Sequence, residues 1–225
     1  MATRNILKDG EKALNKKSRA VTDFNARLHL LLDDMRETLI EANGLGLAAP
    51  QVGVLRRVAL IVDTGLETEP PDETMNDIPD SISDVYTDEQ TDEAENARLA
   101  EENAKRLNEQ IIELVNPEII GSSGEQTGSE GCLSVPGVYG IVTRPENVLV
   151  KAMDRYGQTF EMEVSELTAR AVCHEIDHLD GVIFTSVAER LLTEEELAEL
   201  AASRQAEREA LSESSENSKE AENHR

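Results

Sequence analysis

Three ionisable side chains, His174, Glu175 and His178, sit in a stretch whose other members include Ala171, Val172, Ile176 and Leu179. Ser165 opens this stretch and Gly181 stops it, so it reads as a helix that is largely buried. Two imidazoles and a carboxylate are costly to bury without partners. Residues four apart share a helical face, so His174 and His178 can both offer a ring nitrogen to one cation. Glu175 then lies beside that cation as a proton acceptor. An H-E-x-x-H match also occurs by chance on surface helices, but the apolar neighbours argue for a metal site.

A catalytic site of this kind wants a third protein ligand. One source is downstream, in the glutamates between Glu194 and Glu199, as a zinc endopeptidase would require. The other is upstream, in Glu130-Gly131-Cys132-Leu133-Ser134. There Gly131 permits close backbone approach and Cys132 offers a thiolate suited to a borderline cation. In isolation Cys132 could equally be a small buried hydrophobe. Beside H-E-x-x-H it reads as a ligand. Cys173 points about 100° away from His174 on the helix and reads as packing.

A third segment, Gly44-Leu45-Gly46-Leu47-Ala48-Ala49-Pro50-Gln51, is rich in small residues. No strand precedes it and no third glycine falls in place, so a dinucleotide loop is a poor reading. It better suits close-packed backbone at the edge of a cleft, with the Gln51 amide donating to a substrate oxygen.

GLGLAAPQ at 44–51, EGCLS at 130–134 and HEIDH at 174–178 together resemble the three ordered motifs of the peptide deformylases. The similarity runs from Asn5 to about Glu195, interrupted by an acidic stretch at 66–109. The resemblance implies that Cys132, His174 and His178 bind one divalent metal ion, Fe2+ with Zn2+ or Ni2+ able to replace it. It implies Glu175 as general acid/base, with Gln51 and the Leu133 N–H holding the carbonyl oxygen. Gly46 would bond the peptide backbone, and Leu45 would line a pocket for methionine. The implied reaction is hydrolysis of the N-formyl group from formyl-methionyl nascent polypeptides, with release of formate. Two other readings stand beside it: an H-E-x-x-H zinc endopeptidase, and a deformylase-like binding module without catalysis.

The expected fold is α+β, with small antiparallel or mixed sheets around a central helix carrying HEIDH. Thr22 to Asn43 reads as a first helix, with Thr22 or Asp23 as cap. Arg57 to Asp63 and Ile111 to Val115 read as strands, the second ended by Asn116-Pro117. Residues 147–153 and 159–164 read as a hairpin. Residues 1–201 are expected to form the catalytic domain and 202–225 a polar tail. The 66–109 insertion is expected to be disordered or loosely helical and folded away from the site, a lid or docking arm being the alternative.

The net charge of −24 excludes a basic footprint for nucleic acid and disfavours anionic membranes. No signal peptide or membrane span is seen, so a cytoplasmic location is expected, and with no coiled-coil heptads a monomer is expected. Some deformylases are thought to dock on the ribosome through a basic C-terminal helix. Here residues 193–208 carry Glu194, Glu195, Glu196, Glu199 and Glu207 against Arg204 and Arg208, so such docking on ribosomal RNA is not expected. Glu130 and Arg144 are candidates to pair and brace the second motif. Asp177 and Asp180 are either partners that orient a histidine or solvated charges.

Overall fold

The computed structural model describes residues 2–65, 104–105, 107–193 and 195–198. The tail at 202–225, and the insertion apart from 104–105 and 107–109, lie outside the described residues. At 107–110 the chain is helical.

Helix α1 spans Ala26–Glu41, and strands β1 (Gly46–Ala48), β2 (Val58–Val62) and β3 (Ile111–Ser123) follow. Then come β4 (Gln126–Cys132), β5 (Val135–Arg144), β6 (Asn147–Met153) and β7 (Thr159–Ser165). Helix α2 (Glu166–Asp180) and a short β8 (Arg190–Leu191) complete the order. One antiparallel sheet runs β1-β2-β3-β6-β7 and a second runs β4-β5-β8. This is the α+β arrangement expected, with α2 packed on β1 and β2 of the larger sheet and carrying HEIDH.

Strand β2 shows why its sequence, VALIV, has no polar member. Val58, Leu60 and Val62 point into a core formed with α1, where Leu32, Met35 and Leu39 are fully buried. Ile61 faces the other way, into a core with Val172 of α2, while Ala59 packs on Leu179. A strand covered on both faces reads as a continuous apolar run rather than an alternating one. The hairpin partners β6 and β7 have one wet face and alternate. Their turn is closed by Asp154, whose carboxylate accepts the N–H of Tyr156 and of Gln158, each at 2.8 Å.

Two boundaries depart from expectation. Helix α1 starts at Ala26, not Thr22, because Asn25 is the cap, its side chain accepting from Arg27 N–H at 2.9 Å. The residues before it are held extended: Val21 N–H donates to Asn116 Oδ1 at 2.8 Å, and Asn116 Nδ2 donates back to Val21 O at 2.9 Å. Nor does β3 end at Asn116-Pro117. Asn116 takes a left-handed φ of 51°, and a bulge between Val115 and Glu118 absorbs the missing Pro117 N–H, so the strand continues to Ser123.

On β3, Glu113 ties the sheet to α1 and to the β6–β7 turn. It pairs with Arg36 at 3.0 Å and with Arg155, which also reaches Asp33 at 2.8 Å. Burial alone would push the Glu113 carboxyl up. Hydrogen bonds from Arg155 and Arg36, with their charges, outweigh burial and hold it below the usual 4.5. A depressed folded-state pKa stabilises the fold above pH 4.5, and that stabilisation is lost as the pH falls below it. Glu113→Gln should therefore lower the Tm most near neutral pH. The gap to the parent protein should close on acidification below about 4.5 in thermal scans at several pH values.

Candidate metal centre and cleft

Helix α2 places His174 and His178 on one face, with ring centroids 4.9 Å apart and planes crossed at 80°. Strand β4 ends at Cys132, where pairing with β5 shifts register after Gly131 and delivers the thiol over the helix. Cys132 Sγ lies 3.2 Å from His178 Nε2. The donor atoms of Cys132, His174 and His178 all fall within 4.8 Å of one another. Ligands on a tetrahedral ion with bonds of about 2.0–2.3 Å stand roughly 3.5 Å apart, so this donor set fits one divalent cation. His178 Nδ1 is buried without a hydrogen-bond partner among the described residues, and so is Glu175 Oε2.

The protonation of the two rings follows from their surroundings. Burial opposes charge on His174, but hydrogen bonds to Cys132 and Glu130 and the charge of Glu175 outweigh it, pushing the ring up to about 10. Burial lowers His178, and the neighbouring His174 charge lowers it further, to about 3. Burial also pushes Glu175 up to about 7, against the pull of His174. With its Nδ1 engaged by Glu130, His174 has its Nε2 left as the atom to offer a cation beside Cys132 and His178.

Glycine permits the approach of Glu175. A Cβ at Gly46 would stand 2.7 Å from both Cγ and Cδ of that side chain. Gly46 is thus the floor on which the carboxylate rests. Gln51, in the short 3₁₀ turn Ala49–Val52, is 1% exposed. Its Oε1 accepts Ala48 N–H at 2.7 Å, which turns its NH2 toward Ser134 Oγ at 3.2 Å and Cys132 Sγ at 3.6 Å. Leu45, Gly46, Gln51, Leu133, His174 and Glu175 all line one cleft of about 410 Å³. The three sequence motifs therefore meet on a single cavity.

Beneath the histidines lies a buried charge network. Glu130, 5% exposed, accepts from His174 Nδ1 at 3.1 Å, from Arg144 Nε at 2.9 Å and from Arg170 at 3.0 Å. Arg144 also donates to Asp177 at 2.7 Å. Burial would raise the Glu130 carboxyl, but hydrogen bonds from His174 and Arg144 outweigh it and hold it at about 2. Two carboxylates, Glu130 and Asp177, thus face two guanidiniums, Arg144 and Arg170. The expected Glu130–Arg144 pair is present. Asp177 reaches Arg144 rather than a histidine, and Asp180 pairs with Arg57 and Lys17, so neither orients a metal-site ring directly. That task falls to Glu130.

Arg170 escaped the sequence reading because an arginine four residues before a histidine looks like a surface charge. Here the missing Cβ of Gly128 makes room for its guanidinium. Cys173 is buried and its thiol is pushed up to about 11 by desolvation, in keeping with packing. Of the alternative downstream ligands, Glu196 is engaged with Arg190 and Thr193, away from the histidines. Replacing Arg144 by Met leaves Glu130 buried with one guanidinium fewer and should destabilise the fold by about 3 kcal/mol, read from denaturant unfolding.

A family model described as polypeptide deformylase matches residues 3–194. A peptide deformylase of Caldicellulosiruptor bescii is 44% identical over 197 residues, covering 88% of this chain and 92% of the relative. Peptide deformylase 1 of Bacillus subtilis is 38% identical over 200 residues, 89% of this chain and 99% of its own. Among solved structures, a peptide deformylase from Legionella pneumophila superposes with a TM-score of 0.60 at 33% identity, covering 94% of this chain and 95% of that one. With the cavity, the donor set and these similarities in agreement, the chain belongs to the polypeptide deformylase family.

Proposed function

We propose that this protein is a peptide deformylase, removing the formyl group from formyl-methionine at the N-terminus of newly made proteins and releasing formate. The observation that carries the reading is the convergence of Cys132, His174 and His178 within 4.8 Å, at a cleft that Glu175 and Gln51 also line. In this reading residues 1–201 form one catalytic domain and 202–225 a tail.

Cys132, His174 and His178 would hold one divalent ion, for which iron(II) is our assignment, with zinc or nickel as substitutes suited to the same thiolate and imidazole donors. When bound, the ion supplies Lewis acidity, bringing water from a pKa of 15.7 toward roughly 7. Glu175 takes the proton of the attacking water, and its burial suits it to give that proton back. The Gln51 NH2, aimed by the bond from Ala48 N–H to its oxygen, and the Leu133 N–H donate to the oxyanion as the formyl carbon becomes tetrahedral. Removing one such donor typically costs about 2.7–4 kcal/mol of barrier stabilisation. Glu175 then protonates the departing amine, and the products are formate and a free N-terminus. Leu45 lines the methionine pocket and the Gly46 backbone aligns the peptide.

The substrates are formyl-methionyl nascent chains, and we place the protein in the cytoplasm as a monomer that reaches them without a C-terminal grip on ribosomal RNA. No helix among the described residues is long and apolar enough to cross a membrane.

Anaerobic purification with ferrous iron and measurement of formate release from formyl-Met-Ala-Ser tests the assignment. Glu175→Ala should keep the metal and lose about 10²–10⁴ in kcat. Cys132→Ala should instead lose bound metal, measured by elemental analysis. Cleavage of internal peptide bonds would point to an endopeptidase, and an absence of any formate to a binding module. Gly46→Ala should reduce kcat by at least about tenfold while leaving metal content intact, because the added methyl displaces the Glu175 carboxylate.

A further inference from the structure

The N-terminal segment runs along the first two motifs. Leu7 N–H donates to Gln51 O at 2.7 Å, and Asp9 N–H donates to Ser134 O at 2.8 Å. Lys8 lies between these anchors, exposed yet lining the cleft. Its Nζ donates to Leu133 O at 2.9 Å. The backbone on both sides is pinned, and the bond to Leu133 O sets the ammonium against the cleft lining.

Its charge is of a different kind from the others on the lining. Glu130 and Arg170 face the cleft but neutralise each other at 3.0 Å. Glu175 is 3% exposed, at the floor. Lys8 has no ion-pair partner among the described residues. An ammonium has three N–H donors, and Leu133 O takes one of them, so two remain for an incoming acceptor. A carboxylate on an incoming peptide can pair with these donors and with the ammonium charge, whereas an amide of the same shape gains only the weaker neutral hydrogen bond.

We propose that Lys8 is a specificity-determining residue that favours peptides carrying a carboxylate side chain shortly after the formyl-methionine. The inference rests on the deformylase reading and extends it to sequence preference.

The test compares kcat/KM for C-terminally amidated formyl-Met-Ala-Xaa and formyl-Met-Xaa-Ala peptides, with Xaa as Glu, Gln or Lys. The metal-loaded parent protein is set beside Lys8→Arg, Lys8→Gln and Lys8→Glu. In at least one of the two positions the parent should favour Glu over Gln by about two- to fivefold, chiefly through KM, and the ratio should shrink at high salt. Lys8→Arg should keep the preference, Lys8→Gln should abolish it, and Lys8→Glu should turn it toward Lys. A uniform fall across all peptides in Lys8→Gln, with ratios unchanged, would reduce Lys8 to a tether for the Leu133 carbonyl and overturn the proposal. So would a preference that appears only with free C-terminal acids, since the recognised group would then be a chain end rather than a side chain. If no peptide yields formate with any variant, the deformylase reading itself fails and takes this proposal with it. Formate release without discrimination rejects the role of Lys8 alone.

Discussion

The carboxylate of Glu130 joins two strands of the smaller sheet to one helix. It stands on β4, one residue pair from the thiol, and receives hydrogen bonds from β5 through Arg144 and from α2 through Arg170 and His174. A buried carboxylate must be matched by donors or expelled, so any displacement of these strands against the helix would strand a charge in the interior. The same contact leaves His174 Nδ1 engaged and its Nε2 turned toward Cys132. Cohesion of the fold and orientation of a candidate ligand are therefore one interaction.

The site was largely legible in the sequence because its chemistry demands particular residue types. A thiol and two imidazoles at these spacings suit a divalent ion, and the apolar neighbours of His174 announced a buried helix. Helix α2 and the β6–β7 hairpin were visible for the corresponding reason, since period and turn chemistry agree there. Strand β4 was not. Its QTGSEGC has no apolar alternation, because the Arg170 guanidinium packs over Gly128 on one face and the Tyr139 ring over Gly131 on the other. Strand β1 hid in a segment whose small residues serve close approach to Glu175 rather than β propensity. The long reach of β3 was hidden by Asn116-Pro117, a pair that normally ends a strand and here makes a bulge.

The boundary of α1 carries the same lesson at smaller scale. Thr22, Asp23 and Asn25 are all acceptable caps by residue type. What selects Asn25 is remote: the side chain of Asn116, ninety-five positions away, grips the Val21 backbone from both sides. A local pattern cannot report a competitor that arrives from another strand. Long-range polar contacts of this kind are where reading by propensity runs out.

The pairing of β2 with β3 has an architectural corollary. Val62 sits opposite Ile111, and Asp63 N–H donates to Gln110 O at 2.9 Å, so the chain leaves one strand and re-enters its neighbour at the same rung. On either side of that rung the chain has further ties, Thr64 N–H donating to Thr168 Oγ1 at 3.1 Å and Arg36 donating to Asn108 O at 2.7 Å. Loop-closure entropy grows only slowly with length, at roughly 0.6 kcal/mol per doubling. That rung is thus a natural port where added sequence costs the scaffold little closure entropy.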